Sequence, residues 1–197
     1  MPGRHHGAGT DLPHRLVAGV SGTELLLIGG RSGAGKTAVA SALHHLLSSA
    51  RVRHALIEGD MLDLAWPPPW EHRLAERNLA AIWTGYRQLG FRRLVYTNTV
   101  SVLAADELSA AMGDEPTVTA VLLTASDATA GARLARREHG DSLAVHRERS
   151  SAAARRLEES AGAHVHRLAT DDRPVEQIAA EVARLWLGDA LPQEEAR

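Results

Sequence analysis

Eight residues constrain this chain more than any others: Gly30-Arg31-Ser32-Gly33-Ala34-Gly35-Lys36-Thr37. They carry the spacing G-x-x-x-x-G-K-[ST]. The apolar run Leu25 to Ile28 precedes them, and Val39, Leu43, Leu46 and Leu47 follow at helical spacing. Strand, glycine loop and helix in that order predict a cradle for a phosphate chain. Glycines let backbone N–H groups approach an anion without Cβ clashes. The helix start adds unpaired N–H groups and the positive end of a dipole. Gly30, Ser32, Gly33, Ala34, Gly35, Lys36, Thr37 and Ala38 are the expected contacts, with Lys36 on the terminal phosphates and the Thr37 hydroxyl on Mg²⁺.

Lys36 is the only lysine in the chain; all the other basic residues are arginine. A lysine kept here alone marks a place where a compact ammonium is needed and a planar guanidinium does not substitute.

A chain of 197 residues is long enough for one α/β domain with a sizeable core. The formal net charge of −2 disfavours a broad nucleic-acid or acidic-membrane surface. With no cysteine, disulfides and thiolate metal sites are excluded, which fits a cytoplasmic protein. No apolar run is long enough to span a bilayer. His5 and His6 lie in a Gly- and His-rich segment without an apolar core, which reads as a tail rather than a secretory signal or a metal site.

Strands are predicted at Glu24 to Ile28, Val52 to Ile57, Arg92 to Thr97, Thr117 to Thr124 and His164 to Leu168. Helices fall between them and after the last, from Pro174. The helix expected over Glu71 to Leu89 has Leu74, Ala81, Ile82, Tyr86 and Leu89 on one face. This alternation implies a five-stranded parallel sheet covered by helices on both faces, an α/β three-layer sandwich. Residues 1–22 and 189–197 read as tails, and 23–188 as the domain.

The phosphate loop says nucleotide; three further features speak to reaction. Asp60, in Glu58-Gly59-Asp60, falls at the carboxyl end of the second strand, where parallel sheets bind ligands. A carboxylate there suits a general base, or a ligand to Mg²⁺ alongside Thr37. Arg133, Arg136 and Arg137 precede a break at His139-Gly140-Asp141, with Arg147 and Arg149 beyond it. Such arginines on a helical lid, about 133–160, suit the charge of phosphoryl transfer, and Arg133 and Arg137 share a face. Thr170 to Pro174 is expected near a nucleotide base. The third strand ends Tyr96-Thr97-Asn98, without the acid that commonly holds the metal there. Trp66-Pro67-Pro68-Pro69-Trp70 reads either as an aromatic wall for a substrate or as a plug in the core. No N-K-x-D or L-S-G-G-Q run is present, which weighs against a GTPase and an ABC-type ATPase.

On Gly30 to Thr37, Glu58-Gly59-Asp60 and Arg133 to Gly140, the chain resembles the small-molecule kinases of the P-loop NTPase superfamily. Gluconate kinase, adenylylsulfate kinase and chloramphenicol phosphotransferase are the nearest, and it also resembles tunicamycin-resistance ATP-binding proteins. The resemblance implies ATP and Mg²⁺ as cofactors and a small-molecule hydroxyl as acceptor. It implies Lys36, Asp60, Arg133 and Arg137 as catalytic residues, with Asp60 activating the acceptor. The alternative is an ATP-binding protein that sequesters a ligand without turnover. Acceptor identity and oligomeric state stay open.

Overall fold

In the computed structural model, residues 22–136 and 141–188 are described. Strand β1 (Glu24–Gly29) leads into helix α1 (Lys36–Ser49), then β2 (Ala55–Glu58), α2 (Leu74–Gln88), β3 (Arg93–Thr97), α3 (Ala105–Met112) and β4 (Thr117–Thr124). Helices α4 (Asp127–Ala135) and α5 (Asp141–Ser160), strand β5 (His166–Ala169) and α6 (Val175–Leu187) complete the order. The sheet is five-stranded and parallel, ordered β2-β3-β1-β4-β5. This is the α/β architecture expected from the alternation of elements. The chain leaves β1 towards one edge and crosses from β3 to β4 on the other side, so the reversal of direction lies at the carboxyl end of β1.

The central strand shows why the sheet is buried on both faces. Leu25 and Leu27 point into a core shared with α2, α3 and α5, while Leu26 and Ile28 point into a second core under α1 and α6. All four are fully buried. Each such side chain contributes about 1.5–3 kcal/mol, so β1 is held from above and below and its end is a rigid point of departure for the loop. On α1, Val39, Ala40, Leu43 and Leu47 are buried while Leu46 is partly exposed.

Helix α2 departs from the expected face. Its buried residues are Leu79 and Trp83, and Ala81, Ile82 and Leu89 are exposed. Both stripes have helical spacing; Trp83 decides between them, because it is the largest apolar side chain and also has a buried partner. Its Nε1 donates to Asp114 Oδ2 at 3.2 Å, and Asp114 also accepts from Thr23 Oγ1 and pairs with Arg87. Strand β2 begins three residues later than expected, and a short 3-10 turn over Trp70–His72 precedes α2. No helix among the described residues is long and apolar enough to cross a membrane.

Candidate functional site

The loop between β1 and α1 bends as a cradle requires. Gly33 has φ 86°, and a Cβ there would lie 2.7 Å from the Ala130 carbonyl oxygen, so only glycine fits. Lys36 opens α1 and folds back over the loop: its Nζ donates to the Gly30 carbonyl at 2.8 Å and to the Arg31 carbonyl and Thr99 Oγ1 at 3.4 Å. Thr37 and Ala38 stand exposed on the first turn.

A cleft of about 460 Å³ opens over this loop, lined by Ser32 to Val39 on one side and Asp60, Arg133, Arg136, Thr170, Arg173 and Val175 on others. Most residues expected at the site therefore converge on one cavity. Gly30 lies just beneath it, its N–H donating to the Thr99 carbonyl and its carbonyl holding Lys36. Arg137 lies outside the described residues, as do His139 and Gly140 of the expected lid and residues 1–21 and 189–197 of the expected tails.

Asp60 follows β2 in a 3-10 turn, Gly59–Met61. Close packing fixes that turn: a Cβ on Gly59 would fall 2.2 Å from the Tyr96 hydroxyl, so Tyr96 sits directly beneath it. Burial, then the carboxylates of Asp60, Asp63 and Glu76, push the Tyr96 phenol up to about 12, and it stays neutral. The Asp60 side chain reaches solvent, yet desolvation among its neighbours raises its carboxyl above the ordinary range. Lys36 opposes that shift, as does a backbone N–H bond from Thr99, while Glu58 and Asp63 reinforce it. Asn98 Nδ2 donates to Asp60 Oδ1 at 2.6 Å, and Asn98 Oδ1 accepts from the Val100 N–H at 2.8 Å. The third strand thus lacks an acid of its own but delivers an amide that holds the acid of the second.

Arg133, near the end of α4, spans the loop and the β5–α6 connection. Its Nη1 donates to the carbonyls of Gly33 at 3.1 Å and Ala34 at 3.4 Å and to Thr170 Oγ1 at 2.9 Å; its Nη2 donates to the Thr170 carbonyl at 2.9 Å. The Thr170 to Pro174 segment, expected near a nucleotide base, meets the cleft through Thr170 and Arg173. Asp171 turns to α4 instead. Bonds with Thr129 and with Ser126 hold its carboxyl down at about 2. Arg147 Nη2 donates to the Gly131 carbonyl, and Arg149 is exposed.

Trp66 is 89% exposed, so it does not plug the core; Met61 and Leu64 in the same loop are also largely exposed. Leu62 anchors the loop, buried and with its carbonyl accepting from Asn78 Nδ2 at 2.6 Å.

Sequence reasoning passed over Arg31. It is a variable position of the motif, yet its side chain is almost fully buried and pairs with Asp127. It also donates to Ser150 Oγ at 2.8 Å and to Ser151 Oγ at 3.0 Å on α5. Its place in an apolar-flanked loop was the one available signal.

Among the described residues, no group of three or more His, Asp or Glu is arranged to hold a metal ion. Thr37 and Asp60 line the same cleft and present hard oxygen donors, which fit Mg²⁺ only as part of a shell completed by phosphates and water.

No protein-family model matches the chain, and no curated protein is significantly similar to it. Solved structures are similar in fold. The tunicamycin resistance protein of Deinococcus radiodurans is 20% identical, with 82% of this chain and 94% of that one covered and a TM-score of 0.56. A shikimate kinase from Acinetobacter baumannii, in complex with shikimate, is 16% identical over 87% of this chain and 97% of that one, with a TM-score of 0.55. A gluconokinase from Sinorhizobium meliloti is 22% identical over 84% and 93%, with a TM-score of 0.51. The fold is therefore the one these solved structures share, the shikimate kinase and the gluconokinase among them.

Proposed function

We propose that this protein is an ATP- and Mg²⁺-dependent phosphotransferase acting on a hydroxyl of a small molecule. One observation carries the reading: Asp60 and Lys36 line the same cleft, one at the end of β2 and the other on the phosphate loop. A group that can take a proton therefore stands across from the group that would hold the terminal phosphates.

In this reading the N–H groups of the loop and of the first turn of α1 bind the triphosphate. Lys36 keeps its bonds to the Gly30 and Arg31 carbonyls and exchanges the one to Thr99 for phosphate oxygens. Arg133, Arg136 and Arg137 add positive charge, with Arg133 also bracing the loop. Asp60 orients the acceptor hydroxyl and receives its proton; a carboxyl raised above its ordinary value is a stronger base for that task. Bound Mg²⁺, held by the phosphates and Thr37 with Asp60 reached through water, would supply charge neutralisation on the transferring group.

The reading that the protein sequesters a ligand without turnover drew support from the missing third-strand acid. The Asn98–Asp60 contact sets a carboxylate at the same end of the sheet, which favours transfer over sequestration. The test is an ATP-consumption screen over sugars, nucleosides and antibiotics, with Lys36→Ala as control. We expect consumption that depends on one acceptor and is lost in the control. Tight ligand binding with no consumption would favour sequestration, and absence of nucleotide binding in the native protein would overturn both readings.

A further inference from the structure

A phosphate loop works only if its carbonyl oxygens point away from the anion. Each is a negative end of a dipole and would repel phosphate. In this loop the carbonyls are held back by identifiable donors: Gly30 and Arg31 by Lys36, Gly33 and Ala34 by Arg133. The Gly35 carbonyl accepts from the Val39 N–H of α1, and that of Ser32 is held by α5. Ser150 Oγ donates to the Ser32 carbonyl at 2.7 Å and itself accepts from Arg31 Nε at 2.8 Å.

Ser150 is 2% exposed, so water does not substitute for it. Its hydroxyl is a relay. The guanidinium polarises it from one side, which strengthens the bond it makes on the other. A trans peptide has its C=O and N–H pointing in opposite directions. Drawing the Ser32 carbonyl towards α5 therefore turns the Gly33 N–H away from α5, and Gly33 lines the cleft. Arg31 closes the circuit, since it is a member of the loop and is fixed by Asp127 on α4 as well as by Ser151 on α5.

The geometry points to Ser150, with Arg31 behind it, as a positioning residue for nucleotide binding. Through it, the docking of α5 sets the orientation of the Ser32–Gly33 peptide and so the affinity for the phosphate chain. The inference rests on the cleft being the nucleotide site. It makes α5 and the phosphate loop two ends of one equilibrium: if docked α5 improves the cradle, bound nucleotide must steady α5 by the same factor.

The experiment measures MgATP affinity by calorimetry, well below the unfolding temperature, in the full chain and in Ser150→Ala, Ser151→Ala and Lys36→Ala. Ser151 bonds the same arginine but no loop carbonyl. We expect Ser150→Ala to weaken MgATP about five- to tenfold, the worth of one buried hydrogen bond, with Ser151→Ala close to the native protein. Hydrogen exchange is the second readout: MgATP should slow amide exchange of α5 in the native protein and much less in Ser150→Ala. A variant merely less stable would still bind fully at that temperature. Equal affinity in Ser150→Ala and the native protein overturns the inference and leaves the nucleotide reading standing, as does equal weakening by the two serine variants. A native protein that binds MgATP no better than Lys36→Ala overturns both.

Discussion

Asn98→Asp isolates the contact on which the proposed base depends. Asn98 uses both ends of its amide, donating to Asp60 and accepting from Val100. Aspartate keeps the acceptor for Val100 and replaces the donor with a second carboxylate. With Nδ2 and Oδ1 2.6 Å apart in the native protein, the two charge centres would stand roughly 4 Å apart, where repulsion is about 1 kcal/mol in water and about 4 at an effective dielectric near 20. Asp60 reaches solvent, so the lower half of that range applies, about 1–2 kcal/mol or about one pK unit shared by the pair. The unfolded chain lacks this repulsion. Stability should therefore fall by that amount at pH 7.5, about 2–4 °C in Tm per kcal/mol for a chain of this length. As pH drops through the raised folded-state pKa, one carboxyl takes a proton and can donate to the other, and the difference should close near pH 4. The assay is thermal unfolding of both proteins from pH 8 to 4. Curves that run parallel over the whole range would refute the placement of Asn98 against Asp60.

Asp60→Asn tests the base from the other side. Its carboxyl is raised on folding, chiefly by desolvation, so the native state holds its proton to higher pH than the unfolded chain, and stability falls as pH rises through that window. Asparagine cannot ionise, so the variant should melt higher than the native protein at neutral pH, lose that advantage in acid, bind MgATP nearly as well and transfer phosphoryl groups poorly; unchanged turnover would remove Asp60 from the mechanism. Trp66 and Trp83, of opposite exposure, should separate cleanly in urea unfolding. Trp83→Ala should cost about 3–5 kcal/mol and leave Asp114 without one of its donors, whereas Trp66→Ala should change stability by less than about 0.5 kcal/mol. A large loss for Trp66→Ala would place that ring against the core.

The sequence made the sheet and the loop legible because both write strong local signals. An apolar run from Leu25 to Ile28 in β1, glycines at fixed offsets and a helical stripe leave little choice, and β4 spans Thr117–Thr124 as expected. The face of α2 was ambiguous because apolar residues recur at helical spacing around much of its circumference, and only tertiary contact with Asp114 selects Trp83. Asp60 was legible from its place at a strand end, and Asn98 stood out as one of two asparagines in the chain. That the two touch depends on β3 lying between β1 and β2, which no local pattern states. Ser150 was illegible for a different reason. It is an ordinary serine in an Ala- and Arg-rich helix, and its meaning comes from a carbonyl 118 positions earlier.

The position of β3 has a consequence for what this fold can change. Because β3 separates β1 from β2, the phosphate loop and Asp60 spring from strands two spacings apart, about 9–10 Å. That interval is a ruler made of interstrand hydrogen bonds, with Glu58 paired to Thr97 and Thr97 to Ile28. Residues 63–73 can vary in length and character without altering it. A one-residue slip of β2 on β3 could not be absorbed in the same way: it would carry Asp60 about 3.3 Å along the strand and turn alternate side chains to the opposite face. Under the proposed function, new acceptors are therefore accessible through the loop after Asp60, while the spacing between the phosphate loop and the proposed base is kept by the sheet itself.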